Sequence, residues 1–437
     1  MPTSSADVNH LLRRAGFAPT AAEVNALTPL DRAGVVNAVL DMSAAPAVVP
    51  PVELADPKKG DWEKWVATTK WWVDRMRTTN TPLQEKMTIF WHSHFATSQD
   101  KVDDMGLMFE QNEIFRQHGL GNFRDLVHMV CIHPSMLLFL DSDDNKVGAP
   151  NENLARELME LFTLGVNQYT QADVVASARA WTGHGTVAWN DPTYKFWPGR
   201  HDDRVKTIFG ETKNWDGPDV IDGILSGHLD KKAISARFIA RKMWGWFAYP
   251  NPPVAVLDTI TAAFYDSDLN ITELMRAIFM NDEFYSTNCV HGLVRNPLEY
   301  VVAMLKYTGI DAPTANPQWW LENMGMRPFY PPNVAGWKQN SYFLSSASFW
   351  SKADFAANIG WKVKDQPTGI LANEASLGPA AVIQAGFDAL GIDAPSAQTR
   401  TALENWLATQ KGHNGQSWLE RGYLVRLLLL TPDFQLA

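Results

Sequence analysis

The fold is read most directly from Pro150-Asn151-Glu152-Asn153-Leu154-Ala155-Arg156-Glu157-Leu158-Met159-Glu160-Leu161-Phe162-Thr163-Leu164-Gly165. Asn151 or Asn153 can cap the start of a helix here, and Gly165 can take the left-handed conformation just past its end. At about 100° per residue, Asn153, Arg156, Glu157 and Glu160 form one polar stripe, while Leu154, Leu158, Leu161 and Phe162 lie on the other side. Similar helical patterning covers residues 30–42, 62–77, 82–95, 105–118 and 122–131 before this stretch. After it come 219–226, 231–246, 253–267, 271–280, 294–307, 341–358, 378–390, 401–411 and 418–430. Residues 185–212 break the pattern, with Val187, Tyr194, Phe196, Val205, Ile208 and Phe209 set among turn formers. An all-α protein with a small β-hairpin or irregular insertion at 185–212 is the expected fold. It is expected as one large domain over 1–437, whose natural subdivision is two lobes, 1–183 and 219–437, joined by residues 184–218.

The chain has 437 residues, 46% hydrophobic and 20% charged, which suits a globular protein with a sizeable core. A net charge of −10 argues against nucleic-acid binding through a basic face. Eighteen tryptophans are far above ordinary usage; indoles fill cores, and they also line clefts for sugars or other ring-shaped ligands. With Cys131 and Cys289 alone, neither a disulfide framework nor a cysteine zinc site is expected. No window approaches the ~20 apolar residues of a membrane span. Residues 1–9 lack a basic stretch followed by an apolar one, so the chain reads as cytoplasmic, or as an exported protein without its leader.

Three further motifs carry polar chemistry. Phe90-Trp91-His92-Ser93-His94-Phe95 ends a helix; residues two apart sit about 200° apart, so His92 and His94 cannot face one metal unless the helix ends between them. His201-Asp202 is a common metal or acid–base pairing, though neighbours in a strand point to opposite faces. Arg327-Pro328-Phe329-Tyr330-Pro331-Pro332-Asn333-Val334-Ala335-Gly336-Trp337 is too rigid and too apolar for a free linker, so it either plugs the core or walls a pocket. Gly-rich phosphate loops, a Gly-x-Ser-x-Gly elbow and a His-Glu-x-x-His motif are absent, which leaves nucleotide, hydride-transfer and serine-esterase chemistry unsupported.

Residues 151–181 resemble the signature of a bacterial family catalogued as domain of unknown function 1800. That signature pairs an Asn-Glu-Asn-x-x-Arg-Glu-Leu helix and a Leu-Phe-Thr-Leu-Gly ending with an Asp-Val-x-x-x-Ala-Arg-Ala-Trp-Thr-Gly helix, here Asp173 to Gly183. The resemblance extends to Arg13-Arg14, His92-x-His94, the His201–Gly210 segment and the Pro331–Trp337 loop, but implies no particular reaction. Polar residues within these motifs are expected to converge on one cleft. In one reading the protein is a hydrolase of a carbohydrate or related polymer. Glu157 and Glu160, or Asp202, serve as general acid and base with His92, at the separation of about 5–10 Å such chemistry needs. Arg14, Asn153, Arg156, His184 and Lys206 hold the substrate, and Trp181 and Trp337 stack against it. In a second reading, His94 and His201, with His92, Asp202 or Glu157, ligate a divalent metal such as zinc, iron or manganese in a hydrolase or oxidase. In a third, without a cofactor, Arg156 and the glutamates form buried salt bridges of a helical binding or scaffold protein.

Overall fold

The computed structural model describes residues 3–188, 191–364, 366, 369–372, 377–392, 395–410 and 418–437. Local chemistry sets most helix starts. Thr20 with Glu23, Thr170 with Asp173, Asp216 with Asp219 and Asn296 with Glu299 form reciprocal capping boxes. Proline occupies the first turn of helices Pro82–His94, Pro297–Thr308 and Pro379–Ala389, where its missing N–H costs nothing. The described strands form two antiparallel hairpins, His184–Ala188 with Asp191–Phe196 and Lys206–Ile208 with Glu211–Lys213, so the protein is mostly helical with a small β insertion. The expected helix at 401–411 is Ala397–Thr409, and position 411 lies outside the described residues.

The signature stretch departs from a uniform α-helix. Asn153–Glu157 is α-helical, but Leu158–Thr163 is a π-helix. Leu164 N–H donates to the Met159 carbonyl five residues back at 2.9 Å. The wider turn lets Leu158, Met159, Phe162 and Thr163 all face the interior, where each is fully buried. Gly165 follows with φ of +85°, as the stop signal requires.

Two hydrophobic bodies make up the interior. One gathers Trp91, Phe95, Phe123, Phe162, Trp181, Trp244 and Phe279. The other gathers Trp65, Trp72, Tyr300, Phe329, Trp337, Phe355 and Phe434. Trp246 packs against both. The Pro82–His94 helix lies between them and supplies Phe90 and Trp91 to the first body and Ile89 to the second.

That helix is fixed at both ends. Near its start, the fully buried Glu85 carboxylate accepts from Trp72 Nε1 at 2.8 Å, Arg75 Nε at 2.6 Å and Arg116 Nε at 2.8 Å, tying three helices to one anion. Burial alone would raise the Glu85 pKa, but Arg116 and Arg75 hold it below the ordinary value. At its end, the proline-rich loop is latched by backbone groups. Phe329 N–H donates to His92 Nε2 at 3.2 Å, and Trp337 N–H to Ser93 Oγ at 3.2 Å. The Phe329 carbonyl accepts from Gln99 N–H at 2.9 Å, and that of Pro328 from Trp65 Nε1 at 2.9 Å. Gly336 lies so close that an added Cβ would meet the Ser93 carbonyl oxygen at 2.0 Å.

Two stability predictions follow from these ends of the helix. Glu85→Gln leaves the buried Arg75 guanidinium without its counter-charge and Arg116 with Glu113 alone, and a loss of about 3–5 kcal/mol is expected in chemical denaturation; an unchanged midpoint would show that the network does not hold the helices together. Gly336→Ala and Gly148→Ala both impose a left-handed φ on alanine, +78° and +85°, but nothing lies within 4 Å of the Cβ position at Gly148. Gly148→Ala should cost about 1–2 kcal/mol and Gly336→Ala clearly more, whereas equal costs would mean that the loop is not seated on Ser93.

Candidate functional site

The two histidines of the Phe90–Phe95 motif occupy different surroundings, as their angular separation requires. His92 is enclosed by Trp72, Phe115, Phe329 and Trp337, and burial lowers its pKa to about 3. It therefore stays neutral and serves as the hydrogen-bond acceptor for the loop. His94 lies at the wall of a cleft of about 260 Å³, lined also by Phe90, Ser93, Lys242, Gly245, Trp246, Ala335, Trp337 and Gln339. Its Nε2 is 3.0 Å from the Phe162 carbonyl. A carbonyl can only accept, so Nε2 carries the proton and Nδ1 the lone pair. Nδ1 is buried and, among the described residues, has no hydrogen-bond partner.

Lys242 supplies the charge of this cleft. Its ammonium stands 5.3 Å from the Phe238 ring centroid, and among the described residues it forms no ion pair. Burial lowers its pKa to about 8. Burial, and then the Lys242 charge, depress the His94 pKa well below the ordinary histidine value. The arrangement thus sets a neutral base with an unpaired, buried lone pair near a cation, at a cleft bordered by two indoles.

The expected site residues are only partly brought together. His94 and Trp337 share the cleft, His92 supports Trp337 from behind at 5.1 Å between ring centroids, and Arg14 lines a neighbouring cavity that shares Gly245, Trp246 and Gln339 with the cleft. The signature helix reaches the cleft wall through the Phe162 carbonyl. Its polar stripe points elsewhere. Arg156 and Glu152 pair at 2.7 Å and both bond Gln171, with about 37% of each side chain exposed, so they form no buried salt bridge. Asn153 donates to Asp141 Oδ2 at 3.3 Å. Tyr169 donates to Glu160, while burial and then the Glu160 charge raise the Glu157 pKa. Tyr169 also borders an open groove of about 570 Å³ with Asp173, Phe209 and Lys231.

The insertion residues form a separate and saturated cluster. Asp202 is 2% exposed and held by Arg204 and Arg179, at 2.6 and 2.8 Å, which push its pKa far down. A carboxylate so firmly ionised is unsuited to the acid role expected of it. His184 bonds Asp216 at 2.7 Å and the Tyr194 hydroxyl at 3.0 Å, and His201 bonds the Thr182 carbonyl at 2.8 Å. Lys206 gives its ammonium to Asn214 Oδ1 and the Trp215 carbonyl. Trp181 is 1% exposed and packs on Gly217, so it presents no face to a ligand and the expected stacking platform is core. His94 and His201 sit in these two different surroundings, and among the described residues no three His, Cys, Asp or Glu side chains are grouped to hold a metal.

Lys242 was missed from the sequence. Its signal was a lysine four residues from Phe238 and four from Trp246, on the apolar stripe of helix Lys232–Phe247. A further cavity of about 270 Å³ near Leu12, Phe17 and Leu83 is chemically quieter, since its Lys306 and Glu23 pair with each other at 3.0 Å.

No curated protein and no solved structure matches the chain. Across residues 10–436, nearly its whole length and including both the signature helix and the cleft, the sequence fits one family profile, and the chain belongs to that family, described as protein of unknown function (DUF1800).

Proposed function

We propose that the protein is a hydrolase acting on a compact carbonyl substrate in the His94–Lys242 cleft. The observation that carries this reading is the buried Nδ1 of a histidine of fixed tautomer, without a hydrogen-bond partner among the described residues, set beside an ammonium that likewise has no ion-pair partner among them. A water in the cleft gives a proton to Nδ1 as its oxygen attacks the carbonyl carbon. The oxyanion that develops lies against the Lys242 ammonium, and the proton on His94 passes to the leaving oxygen or nitrogen as that bond breaks. Trp246 and Trp337 narrow the space and keep bulk water away, which strengthens the interaction with the cation.

Support for a second reading comes from the signature helix. Glu157, with its raised pKa, and Glu160, bonded by Tyr169, have the unlike environments of an acid–base carboxylate pair, and Tyr169 borders an open groove. An open groove suits a polymer, including a carbohydrate, better than a compact ester.

The pH dependence separates these readings. His94 is a proton acceptor throughout neutral pH, and Lys242 is charged below its pKa of about 8. Hydrolysis of nitrophenyl acetate should therefore show a kcat/KM that is flat near neutrality and falls above pH 8 as the ammonium is lost. Lys242→Arg should move that fall above pH 10 or so, since guanidinium keeps its proton there. A profile still rising through pH 9 would contradict the role given to Lys242. His94→Gln and Lys242→Met should each lower kcat/KM by at least about 100-fold while Glu157→Gln leaves it unchanged. If Glu157→Gln removes activity on a polysaccharide and the two cleft variants do not, the carboxylate pair is the active centre.

A further inference from the structure

At the start of the Pro82–His94 helix, away from the cleft at its end, a second hollow is better suited to holding a molecule than to changing one. It is the cavity of about 270 Å³ walled by helices Ser5–Ala15, Ala21–Leu27 and Arg32–Leu40 and by Pro82 and Leu83. Its lining is mainly apolar. Phe17 and Leu83 are buried, and Leu12, Leu27 and Val39 are half-buried around the open space.

Bracing from a distant helix keeps this space from closing. Glu23 accepts from Thr20 N–H at 2.6 Å and from Lys306 Nζ at 3.0 Å, which ties the rim to helix Pro297–Thr308. The neighbouring Tyr307 hydroxyl donates to the Pro19 carbonyl at 3.0 Å. The Phe17 ring centroid stands 5.3 Å from the Lys86 ammonium. A wall fixed in this way cannot collapse to fill an apolar void, so a ligand is the means of filling it.

The charges at the rim say what the occupant is not. Glu23 and Lys306 neutralise each other, and Asp41 accepts from Ser43 N–H at 2.9 Å. A bound carboxylate would meet Glu23, and a bound ammonium would meet Lys306. Neither ion finds a counter-charge that is not already in use, and burying an ion without one is costly. Ala26, Ala38 and Asn80 at the edge are exposed, so a polar end can stay in water there while a chain lies along the apolar wall. A dry apolar cavity of about 150 Å³ admits benzene, so nearly twice that volume admits a chain of about ten carbons.

We propose that this cavity binds the aliphatic chain of a neutral molecule, a medium-chain alcohol or ester. The site goes beyond the hydrolytic reading and does not rest on it.

The test is titration calorimetry of the full chain with the straight-chain 1-alkanols from butanol to dodecanol. The expected result is one site per chain, with affinity rising about fourfold per methylene and levelling off near decanol, where the cavity is full. No saturable binding, or a rise that continues undiminished to dodecanol, overturns the proposal. Octanoate and octylammonium should bind at least about tenfold more weakly than octanol; an ion that binds as tightly as the alcohol overturns the neutral class. Ala38→Phe places a ring in the cavity from an exposed helix position and should lower the chain length at which affinity levels off by at least about two carbons. Ala26→Phe serves the same purpose should the first variant not fold. An unchanged limit in a folded variant overturns the proposal. Lys242→Met should leave the series as it is; a series altered there and not by Ala38→Phe puts the alcohol in the hydrolytic cleft and also overturns it.

Discussion

The backbone latch between the proline-rich loop and the end of the Pro82–His94 helix is the contact on which the rest depends. It joins groups far apart in the chain: His92 and Ser93 accept from the Phe329 and Trp337 N–H groups, 237 and 244 positions later. Without it, the second hydrophobic body would lose the edge formed by Phe329 and Trp337, and the cleft would lose a wall. The latch requires a neutral imidazole, because a protonated His92 has no lone pair to offer. Burial supplies that condition by holding the His92 pKa near 3. The unfolded histidine, with a pKa near 6.5, binds its proton first as pH falls, so the contribution of the latch is full above about pH 6.5 and declines through the window between the two values.

Periodicity and stop signals made the helical fold legible in the sequence, since capping residues and apolar stripes act locally. The loop was legible too, because three prolines and three aromatics restrict a chain whatever surrounds it. The site was less legible, for two physical reasons. A polar stripe on an amphipathic helix says only which side avoids the core, and the stripe of Arg156, Glu157 and Glu160 is half exposed, while the buried side of the same helix supplies the Phe162 carbonyl that orients His94. Burial of an indole is likewise invisible to spacing: Trp181 and Trp337 stand in equally suggestive motifs, yet one is packed into the first body and the other lines the cleft. Lys242 escaped notice because a single lysine within an apolar stripe is ordinary in sequence and becomes informative only when, among the described residues, no carboxylate pairs with it.

Buried charge is paired in two directions from the same helix. At Glu85 the ions are matched, with Arg75, Arg116 and an indole on its carboxylate and Glu113 as a second partner of Arg116. One residue later, Lys86 pairs with Glu299 of the Pro297–Thr308 helix. A matched network resists change, because removing any member strands its partners. Adjacent positions on a helix point about 100° apart, so both environments are reached from neighbouring residues without conflict.

The same electrostatics explain why the cleft carries one proton donor and one acceptor instead of two cations. Histidine and lysine differ by about four pKa units before any burial. A confined space of low dielectric tolerates one positive charge far better than two, and repulsion between the groups is relieved by whichever proton leaves most easily. That proton belongs to His94, which is pushed well below its ordinary value, while Lys242 falls only to about 8 and stays charged at neutral pH. The hydrogen bond from His94 Nε2 to the Phe162 carbonyl then decides which nitrogen is left bare. The division of labour in the cleft thus needs no third residue: the intrinsic difference between two side chains, enlarged by burial, assigns the acceptor, and one main-chain carbonyl gives it a direction.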